Sequence, residues 1–214
     1  MDEKAAIVEV VQNWALWRDA GDWERFRTVW HDDGWMTATW FQGPAAKFIE
    51  VSKAGFDKGV SILHFLGGSS VDVQGRRAVA QTKMTINQRG SLDGEVVDVV
   101  CTGRFYDFFE KRPLPQGDPV LPEGAPSERW GIVRRQPIYE KDRLDPVSPS
   151  ARLSLDEKLL KSFPEGYRHL AYLQTRLGFQ IKLDLPQLKG AEVETLYRHG
   201  KAWLAGAASA FPDR

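Results

Sequence analysis

The spacing of apolar residues changes near residue 60, and this change limits the folds open to the chain. Apolar side chains recur every three or four residues over 4–20, which predicts a helix with one buried stripe. The same spacing predicts helices over about 23–30 and from Gly43-Pro44 to Gly55 or Gly59, flanking a turn at 31–34 and a strand over Trp35–Phe41. Strict alternation then predicts four strands: Ile62–Val73, Arg77–Arg89, Val96–Lys111 and Trp130–Glu140. We therefore expect an α+β fold in which three N-terminal helices cover a cone-shaped, curled antiparallel sheet.

Two proline-rich segments divide the chain. Residues 112–128 hold five prolines and two glycines, which predicts a long loop. Residues 146–153 predict a linker. We expect residues 1–145 to form the α+β domain and residues 146–214 to form a helical extension, with helices over 165–177 and 190–204, that packs on this domain or on a partner subunit. Whether the loop and the extension act as a lid or as an interface stays open.

Composition excludes several classes of protein. The 29 basic residues balance the 29 acidic ones, which argues against a nucleic-acid partner. No apolar run approaches the roughly 20 residues that cross a bilayer, and the acidic N-terminus is unlike a secretory signal. A single cysteine suits a reducing compartment. These features predict a cytoplasmic protein with no membrane partner.

Self-association is also expected. A sheet of this kind leaves an outer face that its helices do not cover, and the extension adds apolar residues. These are Leu159, Phe163, Leu170, Leu173 and Trp203. The sequence therefore predicts a homodimer or a higher homo-oligomer.

Six of the eight tryptophans lie within the first 40 residues. Bulky side chains of this kind either fill a small core or line a deep pocket for a flat, aromatic ligand. Composition alone does not separate these two interpretations.

Sequence motifs for cofactors and metals are absent. The chain has no Walker loop, no glycine-rich dinucleotide turn, no paired cysteines and no G-x-S-x-G motif. The His31-Asp32-Asp33 turn is a poor metal site, because three adjacent residues seldom converge on one ion. Cys101 lies in a predicted strand and is interpreted as a small buried hydrophobe. We expect no cofactor and no metal.

Two residues remain as candidates for acid–base chemistry. Asp19 lies in the last turn of the first predicted helix, where the helix dipole disfavours a carboxylate. It either pairs locally with Arg18 or lies at a solvated helix end, or it points into a cavity and orients a base. His64 lies in the apolar segment 62–66 and is either a hydrogen-bonded core residue or the proton-transfer group of a site without a cofactor.

The strand over Val96–Lys111 carries a row of polar residues. Alternation places Asp98, Thr102, Arg104 and Tyr106 on one face of this strand. Such a row forms either a solvated sheet face or the floor of a polar pocket. We expect the pocket, with the guanidinium of Arg104 beside His64.

Three segments resemble the nuclear transport factor 2-like, or SnoaL-like, superfamily. They are RDAGDWERF at 18–26, HFLGG at 64–68, and the pair GRFYD at 103–107 and RWGIVRR at 129–135. The resemblance covers about residues 4–142 and implies a bent sheet wrapped around a pocket that helices close.

Within this superfamily the chain is similar to scytalone dehydratase-type members. The resemblance implies that His64 removes a proton and that Asp19 orients it. The pattern departs where those enzymes have two water-positioning tyrosines, since this chain has Arg18 and Ala38, and no imidazole lies near Val100–Thr102.

The chain also resembles lyases that release formaldehyde from lignin-derived diarylpropanes. That resemblance implies a small aromatic substrate, with Arg104 stabilising a phenolate or an oxyanion. From the expected aromatic and polar pocket we predict substrate contacts from Trp17, Trp40, Asp98, Thr102 and Tyr106. The alternatives are a dehydratase or isomerase of an aromatic or polyketide substrate, and a binding module without activity.

Overall fold

The computed structural model describes residues 2–114 and 127–207. The first helix, α1, spans Glu3–Ala20; the Asp2 side chain caps its start, and Gly21 ends it in a left-handed conformation with φ of 72°. This stop places Asp19 in the last turn of α1. The other helices are α2 (Trp23–Thr28), α3 (Ala45–Asp57), α4 (Glu157–Lys161), a 3-10 turn (Glu165–Tyr167), α5 (Arg168–Arg176) and α6 (Ala191–Leu204).

One sheet holds the six strands of this part of the chain. They are β1 (Trp30–Thr37), β2 (Gln42–Pro44), β3 (Ser61–Gln74), β4 (Arg77–Leu92), β5 (Glu95–Pro113) and β6 (Glu128–Pro146). Their spatial order is β2-β1-β6-β5-β4-β3, and the sheet is curled but not closed. Neighbouring strands are antiparallel except for β1 and β6, which are parallel. The predicted α+β fold is confirmed.

The predicted turn at 31–34 is wrong, because these residues lie inside β1. Trp30 pairs with Ile132 and Trp35 pairs with Arg134, so β1 advances five residues while β6 advances two. The extra residues form an irregular bulge, and Nε2 of His31 donates a hydrogen bond there to the carbonyl of Glu110 at 2.7 Å. A bulge and a turn use similar residues, which explains the error.

The predicted loop at 112–128 is shorter than expected at both ends. Strand β5 continues to Pro113 and β6 begins at Glu128. Residues 115–126 lie outside the residues that the structure describes.

The apolar row of β5 faces the N-terminal helices and α5. Val97, Val99, Cys101 and Phe105 are fully buried, whereas the alternate residues from Asp98 to Arg104 face the other side of the sheet. Burying the apolar row is favourable by about 25 cal/mol per Å² of apolar surface. The cavity side of the sheet is therefore its apolar side.

The C-terminal extension packs against the sheet of its own chain. Phe163, Leu170 and Leu173 belong to the same buried cluster as the N-terminal helices, and Trp203 of α6 packs on the opposite face of the sheet. These four side chains are buried within the chain, so the argument that they supply an apolar surface for a partner is wrong. The division of the chain near residue 145 stays a prediction.

Candidate active site

Asp19 and His64 form a hydrogen-bonded pair where α1 meets β3. Nδ1 of His64 lies 2.9 Å from Oδ1 of Asp19, and the backbone amide of His64 donates to Oδ2 of the same carboxylate. Arg18 donates to Oδ1 from Nη1 at 3.1 Å. Because an ionised carboxylate only accepts hydrogen bonds, Nδ1 carries the proton and Nε2 keeps its lone pair. The carboxylate thereby fixes the tautomer and the orientation of the imidazole.

Burial and hydrogen bonding set the charge of this pair. The His64 side chain is 7% exposed, and its burial lowers the pKa of His64 against the opposing effect of Asp19. Burial alone would raise the pKa of Asp19, but the hydrogen bonds from His64 and the positive charge of Arg18 act together with the imidazole to lower that pKa. At neutral pH a carboxylate therefore lies beside a neutral imidazole, which is the protonation state that a general base requires.

His64 lines a small space, the inner cavity, between α1, the apolar side of the sheet and α5. Its volume is about 40 Å³, enough for one small group or for ordered water. The indole of Trp14 lies edge-on to the imidazole, with 5.0 Å between ring centroids. Nε2 of His64 makes no hydrogen bond to any residue within 2–114 or 127–207. It is therefore the polar atom that His64 can present to the inner cavity.

A wider space, the outer cavity, adjoins the inner one beside α3. Its volume is about 350 Å³, and apolar side chains such as Val51, Val60 and Phe179 supply much of its wall. Five residues line both spaces: Arg18, Trp40, Ile62, Gln88 and Gln174. The two cavities therefore share part of their wall; His64 lines the small inner one, and the outer one is wider and largely apolar.

Arg18 lies at the junction, and its hydrogen bonds are incomplete. Its side chain is buried, and Nη1 donates both to Asp19 and to the carbonyl of Ile62, the latter at 2.6 Å. Nε is buried and has no partner among the residues that the structure describes. A buried donor without an acceptor costs roughly 1–3 kcal/mol.

Arg104 lies on the opposite side of the sheet from His64. Its Nε donates to Glu140 at 2.6 Å, and its Nη1 donates to Gln81 and to the hydroxyl of Tyr197 on α6. The prediction that Arg104 reaches the cavity is therefore wrong. Its partners lie on neighbouring strands and on a helix that packs on the far side of the sheet.

The other three polar residues of β5 share this location, so their predicted place in the pocket is also wrong. Asp98 accepts two hydrogen bonds from Arg89, and Thr102 donates to the carbonyl of Lys141. Tyr106 belongs to the buried cluster under α6. Alternation correctly grouped these residues on one face, but that face is not the one that borders the cavity.

The two predicted substrate-binding tryptophans differ in position. Trp40 lines both cavities. Trp17 lines neither and packs against the buried core, so its predicted contact with substrate is wrong. Trp14 lines the inner cavity whereas Trp30 is buried in the core. The early tryptophans therefore both fill the core and line the site.

Sequence reasoning did not single out the glutamines of the site. Gln174 of α5 donates to Gln88 of β4 at 2.9 Å and accepts a hydrogen bond from Thr39. Both glutamines occupy buried positions among apolar neighbours, and this isolated polarity was the available signal. Through Gln174, the C-terminal extension supplies part of the cavity wall.

The described residues contain no group of three His, Cys, Asp or Glu side chains that could hold a metal ion. Burial raises the pKa of the Cys101 thiol well above its ordinary value, which disfavours the thiolate. Within 2–114 and 127–207, every helix is too short or too polar to cross a membrane.

The fold and the site define an α+β protein whose curled sheet holds a buried carboxylate–imidazole pair beside a cavity. The model of the SnoaL-like domain matches residues 1–136, and the chain belongs to this family. The resemblance inferred from the sequence is confirmed.

The chain is also similar to individual proteins. A PEP2-like protein from Fusarium vanettenii is 35% identical over an alignment of 215 residues, which covers 95% of this chain and 86% of the relative. An uncharacterized protein from Emericella nidulans is 37% identical, with coverage of 95% and 87%. A solved hexachlorocyclohexane dehydrochlorinase is similar in fold, with a TM-score of 0.50, 9% identity, and coverage of 72% of this chain and 94% of its own.

Proposed function

We propose that this protein is a cofactor-independent lyase that cleaves a hydroxylated aromatic substrate by acid–base catalysis and releases formaldehyde. Members of the fold family include dehydratases, isomerases and lyases. The observation that carries the proposal is the neutral imidazole of His64, which Asp19 holds at 2.9 Å with Nε2 available to the inner cavity. Such an imidazole is a competent general base near neutral pH.

The proposed reaction is a retro-aldol-like cleavage. Nε2 of His64 takes the proton of a hydroxymethyl group, and the electron pair of that O–H bond becomes the second C–O bond of formaldehyde. The C–C bond breaks, and its electron pair passes to an electron-accepting group conjugated with the remaining carbon. Nε2 then returns the proton to that carbon. Asp19 stabilises the imidazolium that exists between these two transfers.

The dimensions of the site support this assignment. The inner cavity of about 40 Å³ has room for a one-carbon group but not for an aromatic ring. The outer cavity of about 350 Å³ is near the lower end of the roughly 300–1,000 Å³ typical of ligand pockets and suits the apolar rings. A hydroxymethyl group can thus meet His64 while the rings stay beside Trp40.

The alternative, a dehydratase, uses the same base. Ala38 lines the inner cavity where the resemblance implies a tyrosine, and an alanine supplies no hydroxyl to hold a leaving water. This difference favours loss of formaldehyde over loss of water.

The test is to incubate the protein with diarylpropanes that carry a hydroxymethyl group on a carbon conjugated with an electron-accepting group, and to measure formaldehyde together with the mass of the aromatic product. We expect one formaldehyde per substrate consumed. Loss of water without formaldehyde would indicate the dehydratase, and a product of unchanged mass would indicate an isomerase. Binding of these compounds without any turnover would contradict the proposal and favour a binding module.

A further inference from the structure

The charges on the walls of the two cavities are unevenly placed. Among the described residues that line them, none is an aspartate or a glutamate, whereas Arg18, Lys58 and His64 are basic. The carboxylate of Asp19 accepts hydrogen bonds from Arg18 and His64. Lys58 lines the outer cavity and makes no ion pair with any residue within 2–114 or 127–207. Its ammonium is therefore the positive charge of these walls that has no negative partner.

The end of α3 fixes the position of Lys58. The backbone amide of Val60 donates to the carbonyl of Gly55 at 3.0 Å, and Gly59 adopts a left-handed conformation with φ of 83°. These features are those of a Schellman motif, which holds the backbone in place where a helix ends. Val51, Gly55 and Lys58 lie three or four residues apart, so they line the outer cavity from one face of the helix. The wall that α3 supplies therefore ends in a lysine.

Lys58 is exposed, and the rest of the outer cavity wall is largely apolar. A lysine in this setting rests its carbon stem on apolar surface and keeps its ammonium in water. A ligand matches this arrangement when an aromatic ring fills the cavity and a carboxylate stays at the edge beside Lys58. Both charges then remain hydrated, so they avoid the cost of a buried ion pair. A carboxylate deeper in the cavity would lose its hydration without gaining an unpaired cation.

We propose that Lys58 binds a carboxylate at the edge of the outer cavity, and that the substrate is a hydroxylated aromatic carboxylic acid. This inference rests on the proposed function and narrows its substrate class. The ring that carries the carboxylate lies in the outer cavity, and the hydroxymethyl group points to the wall shared with the inner cavity, towards His64. The carboxylate stays ionised and takes no part in the cleavage. Lys58 therefore selects and orients the substrate without contact with the reacting atoms.

Binding of two unreactive compounds tests this assignment. The compounds para-propylbenzoate and para-propylbenzamide have nearly the same shape, but only the first is an anion at neutral pH, and neither carries a hydroxymethyl group. We expect Lys58→Met to weaken binding of the benzoate about fivefold at low ionic strength and to leave binding of the amide unchanged, as measured by isothermal titration calorimetry. Raising NaCl to about 0.5 M should remove most of this difference, because the ion pair is exposed to solvent.

Lys53→Met is the matched control. It removes a lysine from the same helix, but Lys53 pairs with Asp57 at 2.8 Å and is not among the residues that line the outer cavity. This variant should bind both compounds as the wild-type protein does. Lys58→Arg keeps the positive charge and should retain the binding of the benzoate. The proposal is overturned if Lys58→Met binds the benzoate as tightly as the wild type, if Lys53→Met shows the same loss, or if the wild-type protein binds neither compound.

The same compounds separate this proposal from the lyase assignment. His64→Gln should bind the benzoate as tightly as the wild-type protein while losing formaldehyde release. Formaldehyde release without any effect of Lys58→Met on benzoate binding would leave the lyase in place and overturn the role of Lys58. An effect of Lys58→Met on benzoate binding, without formaldehyde release from any hydroxymethyl substrate, would support the carboxylate site and contradict the lyase.

Discussion

The carboxylate of Asp19 accepts hydrogen bonds from both the ring and the backbone amide of His64. The two contacts join the last turn of α1 to β3, a separation of 45 residues in sequence. The backbone contact holds the carboxylate in place, so that the ring contact has a fixed direction. A helix end and a sheet strand together therefore define the orientation of the proposed base.

Asp19→Asn should lower turnover by roughly 10²–10⁴-fold. An amide cannot accept from both the ring and the backbone amide of His64, because one of its two atoms is a donor. ¹⁵N NMR of the imidazole should show an unprotonated Nε2 in the wild-type protein at neutral pH and a different tautomer balance in the variant. Equal turnover of the two proteins would contradict the role of Asp19.

Arg104→Met should leave turnover within about twofold of wild type, because Arg104 lies on the side of the sheet away from His64. We expect it to lower the free energy of unfolding in urea by about 1–2 kcal/mol, since Glu140 and Gln81 lose a donor. A tenfold fall in kcat at unchanged stability would instead return Arg104 to the site.

His31 makes the fold sensitive to acid. Burial lowers its pKa to about 4, against an ordinary value of 6.5. The unfolded chain therefore binds a proton more readily than the folded one, and stability falls as pH drops from about 6.5 towards 4. At pH 5 this linkage amounts to about 2 kcal/mol.

His31→Gln removes this titration. Urea unfolding at about pH 7.5 and pH 5 should show a smaller acid-induced loss of stability in the variant than in the wild-type protein, by about 2 kcal/mol. An equal loss in both proteins would show that His31 does not carry the effect.

Self-association should involve the outward side of the edge strand β3. Leu63 is 57% exposed and Phe65 is 78% exposed there, and large apolar side chains on an open sheet edge favour association. Light scattering at micromolar concentration should give a mass at least twice the 24.2 kDa of one chain. Phe65→Glu should shift this mass towards the monomer, whereas a monomeric wild-type protein would contradict the prediction.

The sequence was sufficient for the order of elements and for the proposed base. Helical spacing followed by long alternation predicts the α+β fold directly, and the strand bounds differ from those observed by a few residues in most cases. Asp19 and His64 were identifiable because a carboxylate at a helix C-terminus and a histidine in an apolar strand are both unfavourable without a partner.

Other parts of the site depend on tertiary packing. Alternation assigns Arg104 and Cys101 to opposite faces of β5 but does not say which face the helices cover. The buried apolar row of β5 faces the cavity, because burying apolar surface is favourable. The expectation of a polar pocket floor led to the opposite choice. Gln174 reaches the cavity because α5 packs on the sheet, where Gln174 contacts Gln88. These two residues are 86 positions apart, so local sequence patterns do not predict the contact.

The most direct test of the central claim compares two histidine variants. His64 and His169 each hydrogen-bond a carboxylate through Nδ1, at 2.9 Å to Asp19 and at 2.8 Å to Asp142, but of the two only His64 lines the inner cavity. With a substrate that yields formaldehyde, His64→Gln should lower kcat by roughly 10²–10⁴-fold at an unchanged melting temperature. His169→Gln should retain wild-type kcat. Wild-type formaldehyde release by His64→Gln, or an equal loss in both variants, would contradict the account.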